Sequence, residues 1–344
     1  MNDRPLPRPA YSGGSKPSGP LNALVFLPAL NEEATLAYVL RGLPDELPGV
    51  DSIQCLVVDD GSTDGTADIA AREGAMVVRH GNNMGVGKAF QTAVDEALRL
   101  GSDVMVTIDA DGQFDTGQIP ELIRPILEGN ADLVTGSRFH QVGRPEGMPL
   151  IKYWGNRWIA RLVRFFSGVG LADVSCGFRA YSREALLHLN LFGQFTYTQE
   201  TILDLAFKGA KIVEVPVNVR YFRGRRSRVA GSISRYALNA AKIITRTVRD
   251  FRPLRFFGTM GLAVFLVGLL ADLWLLRHYV LTGTFTPYKA FGFVGGTLNV
   301  AGIFLAGLGL LADMLDRIRV NQERILYYHK KHAFDDQRND RASP

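Results

Sequence analysis

The sequence predicts an α/β domain on a mostly parallel sheet, followed by basic amphipathic interfacial helices and a two-helix transmembrane hairpin. Three observations predict it. Short β-rich apolar runs alternate with helical patterns from Ala23 to Ser137. Those runs are apolar on both faces, as strands covered by helices on both sides must be. Two later apolar segments, Phe256 to Leu276 and Ala290 to Leu311, are each long enough to cross about 30 Å of hydrocarbon as helices. At 344 residues and 47% hydrophobic, the chain is neither disordered nor collagen-like, and two spans do not make a polytopic transporter.

The elements follow in order. Residues 1–22 are rich in Pro, Gly and Ser, lack the apolar run of a secretory signal, and read as a flexible leader. The α/β domain is expected over 23–230. Its strands are ALVFLPAL, IQCLVVDD, AMVVRH, DVMVTIDAD and ADLVTGS. Between them come the helical patterns NEEATLAYVLRGL, DGTADIAAREG, VGKAFQTAVDEALRLG and TGQIPELIRPILEG, the first two expected to be capped by Asn31 and Asp64. Cys55 and Cys176 are too few for a disulfide framework, so a reduced, cytoplasmic setting is expected.

Residues 231–255 read as a basic amphipathic helix. Ile233, Tyr236, Ala240, Ile244, Val248 and Phe251 share one face, with Arg235, Lys242, Arg246 and Arg249 on others. A second such stretch, Ile151 to Phe166, sets Trp154, Trp158, Leu162 and Phe165 against Arg157, Arg161 and Arg164. It suits either a lipid headgroup layer or packing on the sheet. The transmembrane helices are expected at about 256–276 and 290–312, within 256–315, and a basic cytoplasmic tail at 316–344. Arg and Lys flank the hairpin outside its connecting loop, so by the positive-inside rule both termini and the large domain face the cytoplasm. Gly295, Gly296 and Gly302 would allow close helix packing, leaving a homo-oligomer through the hairpin open.

The net charge of +5 conceals a partition: −9 over residues 23–219 and +10 over residues 220–255. An acidic body is joined to a basic collar. A collar running directly into a membrane segment argues against nucleic acid as its partner.

Asp109-Ala110-Asp111, at the end of an apolar strand, places two carboxylates where they can share a hard cation such as Mg²⁺ or Mn²⁺. Gly112 and Gln113 add a tight turn and a third oxygen. An Asp-X-Asp alone also describes a loop of solvated aspartates. Other strand ends carry Pro28-Ala29-Leu30-Asn31-Glu32-Glu33 and Asp59-Asp60-Gly61-Ser62, suited to the hydroxyls and ring nitrogens of a nucleotide. GNNMGVGK (81–88) is not a P-loop: five residues separate Gly81 from Gly87 where four are needed, and Ala89 replaces the Ser/Thr.

Taken in order, PALNEE, VVDDGSTDGT, NNMGVGKA, DADGQ, TGSR and SCGFRAYSR resemble family 2 glycosyltransferases of GT-A (Rossmann-like) fold. More narrowly they resemble dolichol-phosphate mannose synthases and related polyprenyl-phosphate enzymes, over roughly Ala23 to Ser234. The resemblance implies a donor nucleotide along Pro28, Leu30, Glu32 and Asp60. It implies metal and diphosphate at Asp109, Asp111 and Gln113, the nucleotide sugar also at Ala110, and sugar or diphosphate at Arg138. Gln199 and Glu200 correspond to the family's acceptor-side pair, and Arg228 and Ser232 to its phosphate-covering loop. Gly231-Ser232-Ile233-Ser234-Arg235 departs from the family's Ser-Lys ending, which leaves the last cation open, Arg235 included. Asp173 and Glu200 are candidates for sugar hydroxyls, Asp173 equally for structural bonding around the Cys176-Gly177 turn.

The implied activity is inverting, metal-dependent transfer of a hexose, mannose or glucose, from GDP-mannose or UDP-glucose to a dolichyl or undecaprenyl phosphate at the cytoplasmic membrane face. It would serve cell-envelope or protein glycosylation. A different lipid acceptor such as a diacylglycerol, and a catalytically silent nucleotide-sugar-binding adaptor, are the alternatives.

Overall fold

The computed structural model describes residues 20–139, 145, 147–148, 150–191, 197–220, 245–246, 249, 251 and 253–342. They fall in two compact units, one within Met1–Ile244 and Glu323–Pro344, the other Thr245–Gln322.

The first unit is built on a sheet with β1 (Asn22–Ala29) at its centre. Beside it lie β2 (Ser52–Asp59), then β3 (Met76–Arg79), on one side, and β4 (Val104–Thr107) on the other. Beyond β4 come β6 (Arg179–Ser182), β5 (Leu133–Ser137) and β7 (Ile212–Pro216), for an order of β3-β2-β1-β4-β6-β5-β7 among the described residues. β6 alone is antiparallel to its neighbours. Leu24, Val25, Phe26 and Leu27 are fully buried, as are the β4 side chains, which is the signature of a sheet covered on both faces.

The covering helices are α1 (Leu36–Arg41), α2 (Thr66–Arg72), α3 (Val86–Arg99), α4 (Ile119–Leu127), α5 (Leu150–Ser167), α6 (Arg183–His188) and α7 (Thr198–Lys208). The five strands expected from β-rich runs all form. β6 and β7 were not signalled by any such run. Asn31 does not cap α1, which starts later, after Thr35. Its side chain instead accepts from Thr63 N at 2.8 Å, and the Glu32 carbonyl receives the Thr35 and Leu36 amides. Asp64 does not stand at the N-cap of α2, which is Gly65; one residue further out, its Oδ1 accepts from the Thr66 amide at 3.1 Å.

The second unit holds α8 (Pro253–Thr282) and the first part of α9 (Lys289–Ala342), both long and apolar enough to cross a membrane. They meet through small residues. A Cβ on Gly261 would lie 2.7 Å from Gly302 O, and one on Gly268 the same distance from Gly295 O. Asn299 Nδ2 donates to Asp272 Oδ2 at 2.7 Å across the pair, so the two polar interruptions of the spans face each other. Of the expected interfacial helix at 231–255, only 245–246, 249, 251 and 253–255 lie within the described residues.

Candidate active site

The carboxyl ends of β1, β2, β4 and β5 lie along one edge of the sheet, the edge at which open α/β sheets bind ligands. Because β6 runs the other way, its start is at that same edge: Thr107 pairs with Arg179, and the Cys176-Gly177 turn comes up beside Asp109. A Cβ on Gly177 would stand 3.0 and 3.1 Å from the two carboxylate oxygens of Asp109, so glycine there is what admits that carboxylate. Asp109 and Asp111 are both half-buried, and Asp111 Oδ1 accepts from Gln113 N at 3.0 Å. Ala110 is buried; its carbonyl receives Thr35 Oγ1 at 2.9 Å, tying the Asp109–Asp111 strand end to the loop after β1.

That loop carries Pro28, Leu30 and Glu32, all half-buried. Glu32 N donates to Thr66 Oγ1 and Asn31 N to Ser62 Oγ, each at 2.8 Å, so the ends of β1 and β2 are stitched into one rim. Gly61 occupies the left-handed region at φ +81°, and a Cβ there would lie 2.6 Å from the Asn82 backbone. Asp60, 5% exposed, uses both oxygens on the next loop: Oδ1 meets His80 Nδ1 at 2.7 Å and Met84 N at 2.9 Å, and Oδ2 accepts from Gly85 N at 2.8 Å. His80 in turn meets Thr92 Oγ1 at 3.0 Å. The amides that a P-loop would offer to phosphate are thus taken by the protein's own carboxylate, in keeping with the spacing argument against one.

Arg138, at the end of β5, is buried with its fork on Asp173. Nε and Nη2 reach the two carboxylate oxygens at 2.6 and 2.9 Å, and Nη2 also reaches Ser175 Oγ at 2.9 Å. Burial alone would raise the Asp173 pKa; the Arg138 charge and its hydrogen bonds outweigh it and hold the carboxyl below its ordinary value.

Gln199 and Glu200 open α7. Gln199 is fully buried with Oε1 accepting from Thr198 Oγ1 at 2.9 Å, while Glu200 is half-buried. Tyr197, just before them, stacks on Phe90 at 4.2 Å and points its hydroxyl at Gly177 O, 3.4 Å away. Burial, then the nearby Asp109 carboxylate, push the Tyr197 pKa well above its ordinary value, so the ring is a neutral donor and no base. The start of α7 therefore abuts the Asp109–Asp111 strand end. Arg179, fully buried, locks this junction: its guanidinium donates to the carbonyls of Cys176, Val174 and Thr198 and to Thr201 Oγ1, at 2.6 to 3.1 Å. Arg228, Ser232 and Arg235 lie outside the described residues.

Tyr197, Arg179 and His80 were not singled out from sequence, and Gly177 was named only as part of a turn. Gly177 and Arg179 sit inside the quoted SCGFRAYSR motif and Tyr197 directly before the Gln-Glu pair, so position was available and role was not. α5 has one packed face and one exposed face. Asn156, Ile159, Ala160 and Val163 are buried, whereas Leu150, Trp154, Trp158, Leu162 and Phe165 are exposed, with Arg157 and Arg161 beside Tyr153 and Trp158.

Among the described residues no group of three or more His, Cys, Asp or Glu side chains forms a ready metal cage. Asp109, Asp111 and Gln113 carry oxygen donors of the kind a hard divalent cation takes, and the missing Cβ of Gly177 leaves room beside the Asp109 carboxylate.

Residues 24–189 match the glycosyl transferase family 2 model. Polyprenol monophosphomannose synthase of Mycolicibacterium smegmatis is 30% identical over 62% of this chain and 83% of its own length. The UDP-N-acetylglucosamine–dolichyl-phosphate N-acetylglucosaminyltransferase of Methanococcus voltae is 31% identical over 57% of this chain and 85% of its own. Among solved structures, glucosyl-3-phosphoglycerate synthase of Mycobacterium tuberculosis with Mn²⁺, UDP and glucosyl-3-phosphoglycerate superimposes with a TM-score of 0.51. It is 27% identical, over 66% of this chain and 80% of that one. A mixed sheet with Asp-X-Asp at its ligand edge, and these relatives, agree: the chain belongs to glycosyl transferase family 2, with its dolichol-phosphate mannose synthase-like members.

Proposed function

We propose that the protein is an inverting hexosyltransferase that moves mannose or glucose from GDP-mannose or UDP-glucose to a polyprenyl phosphate at the cytoplasmic face of a membrane. One observation carries this reading: the Asp109–Asp111 strand end and the start of α7, with Gln199 and Glu200, meet at Gly177 and Tyr197. A donor-side carboxylate pair and an acceptor-side pair then share one edge of the sheet. Two relatives are named for transfer to polyprenol or dolichyl phosphate, and the solved neighbour holds Mn²⁺ and UDP, which supports both halves of the assignment.

The nucleotide lies along Pro28, Leu30, Glu32 and Asp60 in this reading. Asp60 acts chiefly by shaping the loop at 80–85. Asp109, Asp111 and Gln113 hold Mg²⁺ or Mn²⁺, which when bound offsets charge on the departing diphosphate. A phosphomonoester acceptor is already anionic near neutral pH, with a second pKa of about 6, so no strong base is required. Alignment and charge stabilisation then carry the rate. Arg138, anchored by Asp173, keeps a fixed positive charge at the end of β5, and Arg228, Ser232 and Arg235 cover the phosphates. In-line attack on an α-linked donor yields a β-linked product. The aromatic stripe of α5 rests in the headgroup layer, and the hairpin spans the bilayer with both termini inside.

A neutral acceptor such as a diacylglycerol would need a base. Of Asp173 and Glu200, the first is fully buried on Arg138, which leaves Glu200 for that task.

The test is transfer by the purified full chain in nanodiscs, with radiolabelled GDP-mannose, UDP-glucose and UDP-N-acetylglucosamine, against undecaprenyl phosphate, dolichyl phosphate and diacylglycerol. Expected is labelled polyprenyl phosphate, abolished by EDTA, restored by Mn²⁺ and lost in Asp111→Asn. Label in diacylglycerol alone would overturn the acceptor, and donor binding without transfer to any lipid would make the protein an adaptor.

A further inference from the structure

From Glu323 onward α9 belongs to the α/β unit. Its half-buried positions are Glu323, Tyr327, Lys330, Phe334, Asp335 and Arg338, spaced to share one helical face, while Arg324, Ile325, Tyr328, His329, Lys331 and His332 are exposed. That face is mostly polar, and each polar group has an address. The Tyr327 ring stacks on His188 at 4.3 Å, and its hydroxyl donates to Glu184 Oε1 at 2.8 Å. Arg183 pairs with Asp335 at 2.9 Å, and Arg338 reaches both oxygens of Asp103 at 2.9 and 3.3 Å.

The remaining contacts fall on the corner between α6 and α7. Lys330 Nζ donates to Leu189 O at 2.9 Å and Asn190 Oδ1 at 3.3 Å. Lys208, buried in the last turn of α7, donates to His188 O at 2.6 Å and to Asp204 Oδ2 at 2.8 Å, with Glu323 Oε2 at 3.8 Å. Asn190 N donates to Asp204 Oδ2 of α7 at 3.5 Å, and α7 runs from the Gln199-Glu200 pair to Lys208. One end of α7 is at the site; the other is gripped, together with the corner, by the C-terminal helix.

We propose that the 323–338 segment is a positioning element for Gln199 and Glu200, with Lys330 its central residue, acting through Leu189, Asn190 and the Lys208 end of α7. The inference rests on the reading of Gln199 and Glu200 as acceptor-side groups. It makes the last stretch of chain part of the catalytic unit rather than a tail.

The test uses the full chain in nanodiscs, comparing wild type with Lys330→Ala, Asp335→Arg, and the swap Arg183→Asp with Asp335→Arg. Transfer kinetics are read together with amide exchange. Expected in Lys330→Ala is a loss of about fivefold in kcat/KM for polyprenyl phosphate, within the range carried by packed contacts. The donor KM stays within twofold, and faster exchange is confined to 189–191 and 198–204. Asp335→Arg behaves likewise, and the swap recovers at least half of the loss. Acceptor kcat/KM within twofold of wild type, or exchange raised equally in β1, β2 and β4, would overturn the proposal. Should wild type transfer nothing to polyprenyl phosphate while Lys330→Ala still loosens 198–204 selectively, the acceptor assignment fails and the mechanical link stands.

Discussion

Substituting Gly177 with alanine isolates the geometry of the carboxylate pair. Gly177 does not occupy the left-handed region, so alanine is free of backbone strain there and should hold or slightly raise the melting temperature. The added Cβ would stand 3.0 and 3.1 Å from the Asp109 oxygens, against the 3.4 to 4 Å of ordinary contact, so the carboxylate must retreat by about 0.4 Å. If a misplacement of about 1 Å costs about 100-fold, 0.4 Å costs about sixfold, or about 1 kcal/mol of transition-state stabilisation. The assay is kcat/KM for the nucleotide sugar and the Mn²⁺ concentration for half activity, measured beside a thermal melt. Both kinetic quantities should worsen about sixfold with the melt unchanged. Wild-type values for both would refute the placement of donor chemistry at Asp109; a collapsed melt would refute the claim that the contact is local.

Three further outcomes are expected. Asp173→Asn leaves the buried Arg138 guanidinium without its counter-charge and should cost about 3–5 kcal/mol in urea unfolding. Because the folded Asp173 pKa lies below its unfolded value near 4, that pair's contribution is complete above about pH 4 and fades as pH falls through the folded value; wild type but not Asp173→Asn should show this loss. Burial pushes the Cys176 thiol up to about 12, so it should resist maleimide at pH 8 until the protein is unfolded, a result checked by mass spectrometry. In proteoliposomes of Trp274→Phe, fluorescence from Trp154 and Trp158 should be quenched by lipids brominated near the headgroup; unquenched emission would remove α5 from the membrane surface.

The strands that could be read in the sequence were those buried on both faces. Phe26, Val57 and Val106 belong to runs whose apolar character does not depend on which neighbour they find. β6 could not be read that way, because Arg-Ala-Tyr-Ser has no apolar pattern and Arg179 is buried through carbonyls supplied by Val174, Cys176 and Thr198. Those acceptors exist only once the chain has folded. The motif residues were legible as a set, yet the sequence could not say that Asp60 is occupied by His80, Met84 and Gly85, or that Arg138 is committed to Asp173. Both facts depend on contacts between residues 20 to 35 positions apart. The docked face of α9 was hidden for a related reason: its periodicity is carried by Tyr, Lys, Asp and Arg, which hydrophobic patterning does not register.

The place of β6 bears on how the protein is made. β4 is complete once residue 107 leaves the ribosome, but its outer neighbour begins only at residue 179, and β5 is bonded to β6 and β7, never to β4. Throughout that interval the nascent chain presents the unpaired edge of a strand that is buried in the finished sheet, the kind of surface that recruits chaperones or pairs with another copy. Any shortened version of the α/β unit that stops before Ser182 would keep the edge open permanently, so every such version should express in insoluble form.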